Sequence, residues 1–91
     1  MRIAKFDLEL PQGFEIFRTH RGTEYRAQVT DGHWKLTNNG NAYATLNQLS
    51  LATSGNTENA WRNWYFQGKD GRSYLVEKLR SDITPNVRHL L

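Results

Sequence analysis

Period-2 alternation dominates the first half of the chain. "KFDLEL" sets Phe6, Leu8 and Leu10 against Asp7 and Glu9, the mark of a half-buried strand, and "PQG" ends it. "FEIFR" is short and ambiguous. "EYRAQVT" alternates Tyr25, Ala27 and Val29 with Arg26, Gln28 and Thr30, and "HWKLT" resumes with Trp34 and Leu36. Asp31 and Gly32 between those two runs are a strong hairpin signal, because a two-residue β-turn needs positive φ at both positions. "NNGN" predicts a second turn that leads into a short strand at Ala42 and Tyr43.

The alternation then changes period. In "TLNQLSLATSG", Leu46, Leu49 and Ala52 or Thr53 fall on one helical face, with Thr45 as N-cap and Gly55 as the left-handed residue that closes the helix. "NTEN" reads as a loop. "WRNWYFQ" alternates again, and "GKDG" followed by "RSYLVEKLR" predicts a further turn and strand. Residues 81–91, with Pro85, have no clear period and are expected to fray as a partly disordered tail. The expected architecture is one α+β domain over 1–80, a twisted antiparallel sheet of about five strands with one short helix across one face. Leu46 and Leu49 point at the sheet, and Val29, Leu36, Leu75 and one of Trp61 and Trp64 join the core.

The chain has 91 residues and no cysteine, so one small core supplies all the stability, without disulfide or thiolate–metal help. No apolar run reaches the roughly 18 residues of a membrane span, and the alternating N-terminal stretch is unlike a signal peptide. The expected setting is soluble and cytoplasmic. His20, His33 and His89 are scattered, with no metal-ligand spacing, nucleophile motif or phosphate-cradling glycine loop. The sequence therefore predicts a non-catalytic protein with no cofactor and no metal.

The net charge is +3, and its distribution is uneven. Acids and bases balance through residue 60. After it Arg62, Lys69, Arg72, Lys78, Arg80 and Arg88 face only Asp70, Glu77 and Asp82. The same stretch opens with the aromatic cluster "NAWRNWYF", and basic plus aromatic is a composition suited to nucleic acid as well as to an ordinary solvated surface. As a strand, the cluster places Trp61, Asn63 and Tyr65 on one face and Arg62, Trp64 and Phe66 on the other. One face is core. The other either packs against a protein partner or stacks on a base with Asn or Arg supplying hydrogen bonds.

The order of the hairpin "EYRAQVTDGHWKLTNNG", the helix "TLNQLSLATSG" and "NAWRNW" resembles the RAMA domain, the restriction enzyme adenine methylase associated module, over residues 22–80. Asn59, Trp61 and Trp64 match the asparagine and tryptophans of that family's strand motif, and Thr45 matches the hydroxyl residue that opens its helix. Ala60 stands where the family has glycine, which disfavours a left-handed backbone there. The resemblance implies binding to duplex DNA, modified DNA included, in a restriction, modification or phage setting beside a methyltransferase or nuclease partner. On that basis Thr45, Asn59 and Trp61 address a base while Arg62, Lys69, Arg72, Lys78 and Arg80 contact phosphates. The competing expectation is a protein-interaction module, a homodimer or adaptor, that uses an exposed aromatic face.

Overall fold

In the computed structural model, residues 1–3, 8–80 and 87–91 are described. Among them, strands β3 (Glu15–His20), β4 (Thr23–Thr30), β5 (His33–Leu36), β6 (Ala42–Tyr43), β7 (Tyr65–Gln67) and β8 (Ser73–Leu75) form one antiparallel sheet in the order β6-β5-β4-β3-β7-β8. A separate pair, β1 (Arg2–Ile3) and β2 (Leu8–Glu9), is also antiparallel. The helix α1 (Leu46–Ser54) lies on one face of the large sheet. The α+β class and the single packed helix are as the patterning predicts. The sheet has one strand more than expected, because "FEIFR" lies within β3.

Turn chemistry sets the hairpins. Asp31 and Gly32 join β4 to β5 with φ of 50° and 78°, and Arg21 and Gly22 join β3 to β4 with φ of 50° and 81°. Both are two-residue loops with both φ positive, the arrangement whose twist suits adjoining strands. The resulting register pairs Ile16 with Ala27 and Val29 with Trp34, which places all four on the helix side. There they are buried together with Leu36, Leu49, Trp64, Phe66, Val76 and Leu79.

The helix ends as its sequence dictates. The Thr45 hydroxyl accepts the Gln48 N–H at 3.1 Å, and the Gln48 side chain reaches back to accept the Ala44 N–H at 3.1 Å. Gly55 has φ of 74°, and its N–H bonds Leu51 O. Leu46 and Leu49 are buried against the sheet side, whereas Leu51 is 49% exposed.

The aromatic segment departs from the expected strand. Ala60–Arg62 is a 3-10 turn, and only Tyr65–Gln67 is strand. The Asn59 carbonyl accepts N–H bonds from Arg62 at 3.1 Å and from the Asn63 side chain at 2.7 Å, and this local bonding displaces a sheet ladder. The alternating faces proposed for residues 61–63 are therefore corrected. From Trp64 onward alternation holds, with Trp64 and Phe66 buried and Tyr65 exposed. Ala60 is fully buried inside the turn and, lacking a positive φ, does not adopt the glycine conformation.

Two further expectations change. The strand predicted through "RSYLVEKLR" stops at Leu75, and Val76–Leu79 continues as a 3-10 turn. Leu75 pairs with Tyr65 on the sheet face away from the helix and is half-buried, so Val76 and Leu79 take the core place expected for it. Phe6 lies outside the described residues, while Leu8 and Leu10 are buried. In the expected tail, residues 81–86 lie outside the described residues; Val87–Leu90 is a 3-10 turn whose Leu90 is buried, with Leu90 O accepting the Lys69 N–H at 2.9 Å.

Leu49→Ala is expected to cost about 2 to 5 kcal/mol, since it empties a fully buried site between helix and sheet. Leu51→Ala on the exposed face of the same helix should stay within about 0.5 kcal/mol. Urea unfolding of both variants checks this pair, and equal losses would mean that α1 does not pack in this register.

Candidate nucleic-acid interface

Between the N-terminus of α1 and the Ala60–Arg62 turn lies a cleft of about 270 Å³. Trp34, Trp61, Thr45 and Leu46 line it, with Gly32 at its rim and Met1–Ile3 along one side. Each wall has a local origin. Trp34 points to the helix side because the Asp31–Gly32 turn fixes β5 in register; β6 returns the chain so that Thr45 caps α1 beside it. The 3-10 turn then swings Trp61 across, half-buried, where a continued strand would have carried it along the sheet. The cleft thus offers two indoles, a threonine hydroxyl and the partial positive charge of a helix N-terminus. Its volume lies just below the usual range for drug-sized ligands and suits one flat ring.

A buried polar cluster holds this arrangement in place. Arg18, on β3 and 5% exposed, points toward α1, where its guanidinium donates to Ser50 Oγ at 3.3 Å, Thr53 Oγ1 at 3.4 Å and the Glu58 carboxylate. Ser50 Oγ donates to Glu58 Oε1 at 2.6 Å, and the Trp64 indole N–H donates to Ser50 Oγ at 3.3 Å. The guanidinium also sits 5.7 Å from the Trp64 ring centre, and His20 Nδ1 lies 3.3 Å from its Nη2. Helix, sheet, loop and the start of β7 meet here. Glu58 lies one residue before Asn59 and three before Trp61, so its anchor to Arg18 fixes the approach of the turn that forms the cleft wall.

Burial of Glu58 opposes its ionisation, but hydrogen bonds from Arg18 and Ser50 outweigh that, and the carboxyl is held below its ordinary value of 4.5.

Of the residues singled out in the sequence, Thr45 and Trp61 share the cleft. Asn59 is exposed at the start of the turn, and its side chain caps no backbone N–H there. Arg62 is exposed, with its Nε 3.6 Å from Glu77 on the Val76–Leu79 turn, which also carries the exposed Lys78; Arg80 follows, half-buried. Lys69 and Arg72 stand apart, exposed in the turn from β7 to β8. Asp70 braces that turn by accepting the Arg72 N–H at 3.0 Å and the Tyr74 hydroxyl, while Gly68 leaves room for the Tyr74 ring that a Cβ would strike at 2.7 Å. Antiparallel pairing brings the β7–β8 turn out at the same end of the sheet as the Asp31–Gly32 turn beside the cleft, about 14 Å away across three strand spacings. Trp34 belongs to the site too. Its alternation marked it only as an inward strand residue.

Comparison with protein-family models, with curated proteins and with solved structures finds no match to this chain. No helix among the described residues is long and apolar enough to cross a membrane.

Because the folded-state pKa of Glu58 is depressed, its contribution to stability is fully present above pH 4.5 and is lost as pH falls through the folded value. Glu58→Gln should therefore flatten the acid limb of a stability–pH curve measured by thermal unfolding, and an unchanged limb would contradict the anchor. Arg18→Met should cost up to about 3 kcal/mol near neutral pH, because it leaves a largely buried carboxylate without its cation.

Proposed function

We propose that the chain is a non-catalytic DNA-binding module of the RAMA type, with the Trp34–Trp61 cleft as the base-recognition site. The observation that carries this reading is the meeting of Thr45 and Trp61 in one cleft. They come from two motif segments well separated along the chain, and each was singled out for its likeness to that family. An indole stacks on any base face, and a methyl group on a modified base gains apolar contact with the second indole. The Thr45 oxygen is occupied as an acceptor by the helix, so its hydroxyl hydrogen serves as the donor toward a ligand. Asn59, exposed beside Trp61, has the donor and acceptor that match an adenine edge. Arg62, Lys69, Arg72, Lys78 and Arg80 are the phosphate contacts of this reading, and Glu77 beside Arg62 makes that arginine the weakest of them. The corresponding setting is restriction or modification of DNA, with a methyltransferase or nuclease as the working partner.

Fluorescence titration with adenine-methylated and unmethylated duplexes at low and moderate salt tests the proposal. Trp61→Ala is expected to cost about 1 to 3 kcal/mol of binding. Lys69→Ala should weaken all duplexes alike and flatten the salt dependence. Full binding by a folded Trp61→Ala variant, or no duplex binding by the wild type at low salt, would overturn it.

A further inference from the structure

The sheet face turned away from α1 carries a second aromatic feature, independent of the cleft. Register sets Arg26 beside Phe17, Phe17 beside Tyr65, and Tyr65 beside Leu75, so β4, β3, β7 and β8 contribute one residue each to a row across the strands. The Phe17 and Tyr65 rings stack with centres 6.1 Å apart and planes 24° apart, and Tyr65 is 40% exposed. The Arg26 guanidinium lies 5.2 Å from the Phe17 ring centre, held there by Glu15 at 2.6 Å and Glu24 at 2.7 Å. An open depression of about 420 Å³ runs beside the rings along Thr19 and Ser73, and another of about 470 Å³ runs along Gln28, Thr30 and Lys35.

We propose that this face binds single-stranded nucleic acid, with neighbouring bases stacked on Phe17 and Tyr65. Paired aromatics on adjacent strands of an uncovered sheet give unpaired bases two flat supports, and hydroxyl and amide groups alongside supply hydrogen bonds without demanding a sequence. Charge favours a polyanion. Lys35 stands on the β5 side of the rings and Lys69 and Arg72 on the β7–β8 side, and together with Glu15, Glu24, Arg26 and Asp70 they leave the lane one charge positive. From β5 to β8 is four strand spacings, about 19 Å, room for about four nucleotides. A second copy of the chain fits less well. The face measures about 20 Å by 20 Å, a footprint of about 400 Å² against the roughly 800 Å² that each partner of a stable complex buries. A duplex fits less well too, since its bases are stacked on one another and offer no free face to the rings.

The test is fluorescence anisotropy with labelled decamers of deoxythymidine and of uridine, at about 25 and 200 mM salt. The wild type is expected to bind at low salt and more weakly at high salt, and the ratio of the two affinities tells whether DNA or RNA is the preferred strand. Tyr65→Thr should lower affinity about tenfold or more, and Phe17→Thr by a similar factor. Trp61→Ala should leave it unchanged, which separates this face from the cleft. Phe17 is half-buried and its variant is at risk of misfolding, so amide shifts in the wild type give a second readout, expected on β3 and β7. Unchanged affinity in a folded Tyr65→Thr variant, no binding by the wild type at low salt, shifts confined to α1 and the 60–62 turn, or a stable dimer lost on Tyr65→Thr would each overturn the proposal.

Discussion

An arginine in the middle of the fold is the constraint on which the rest depends. Arg18 occupies a position on β3 where alternation calls for an apolar side chain between sheet and helix. Removing a guanidinium from water is expensive, and the expense is offset only if its donors find partners and its charge finds a carboxylate. Ser50 and Thr53 from α1, Glu58 from the loop and the face of Trp64 supply them. Arg18 Nε and His20 Nε2 remain buried without a hydrogen-bond partner, so the cluster is incompletely satisfied. Such a cluster contributes more to fixing one arrangement of its elements than to net stability, because each partner has a direction as well as a distance.

That arrangement makes the cleft possible. The loop after α1 has little apolar surface of its own with which to dock, and Glu58 gives it a polar anchor instead. Once Glu58 is fixed and Ala60 is buried, the 3-10 turn presents Trp61 toward Trp34 and the helix N-terminus. The following tryptophan does different work. Trp64 is fully buried and spends its indole N–H on Ser50. Two tryptophans three residues apart thus part company, one lining a surface site and the other sealing the core.

What could be read from the sequence was whatever local chemistry decides. The Asp31–Gly32 hairpin, the Thr45 cap, the Gly55 stop and the inward leucines of α1 each follow from residues within a few positions of one another, and all are present. Residues 61–63 were misread because large aromatics suit a strand, whereas the backbone there is settled by Asn63 bonding back to the Asn59 carbonyl. The buried role of Arg18 was out of reach, since its partners lie 32 to 40 residues further along the chain. The cleft was legible in half. Thr45 and Trp61 stood out by motif, but that Trp34 faces them depends on β6 returning the chain to the same end of the sheet.

The central claim is that the Trp34–Trp61 cleft, held by the Arg18 cluster, is where a DNA base is met. The chain has three tryptophans, and they divide cleanly into two that line the cleft and one bonded to Ser50. Indole N–H signals in a ¹H–¹⁵N correlation spectrum therefore report on the site directly as methylated duplex is added. The account predicts that the Trp34 and Trp61 signals move with the titration while Trp64 stays in place. Movement of Trp64 alone, or no movement of any indole while the duplex binds, would contradict it.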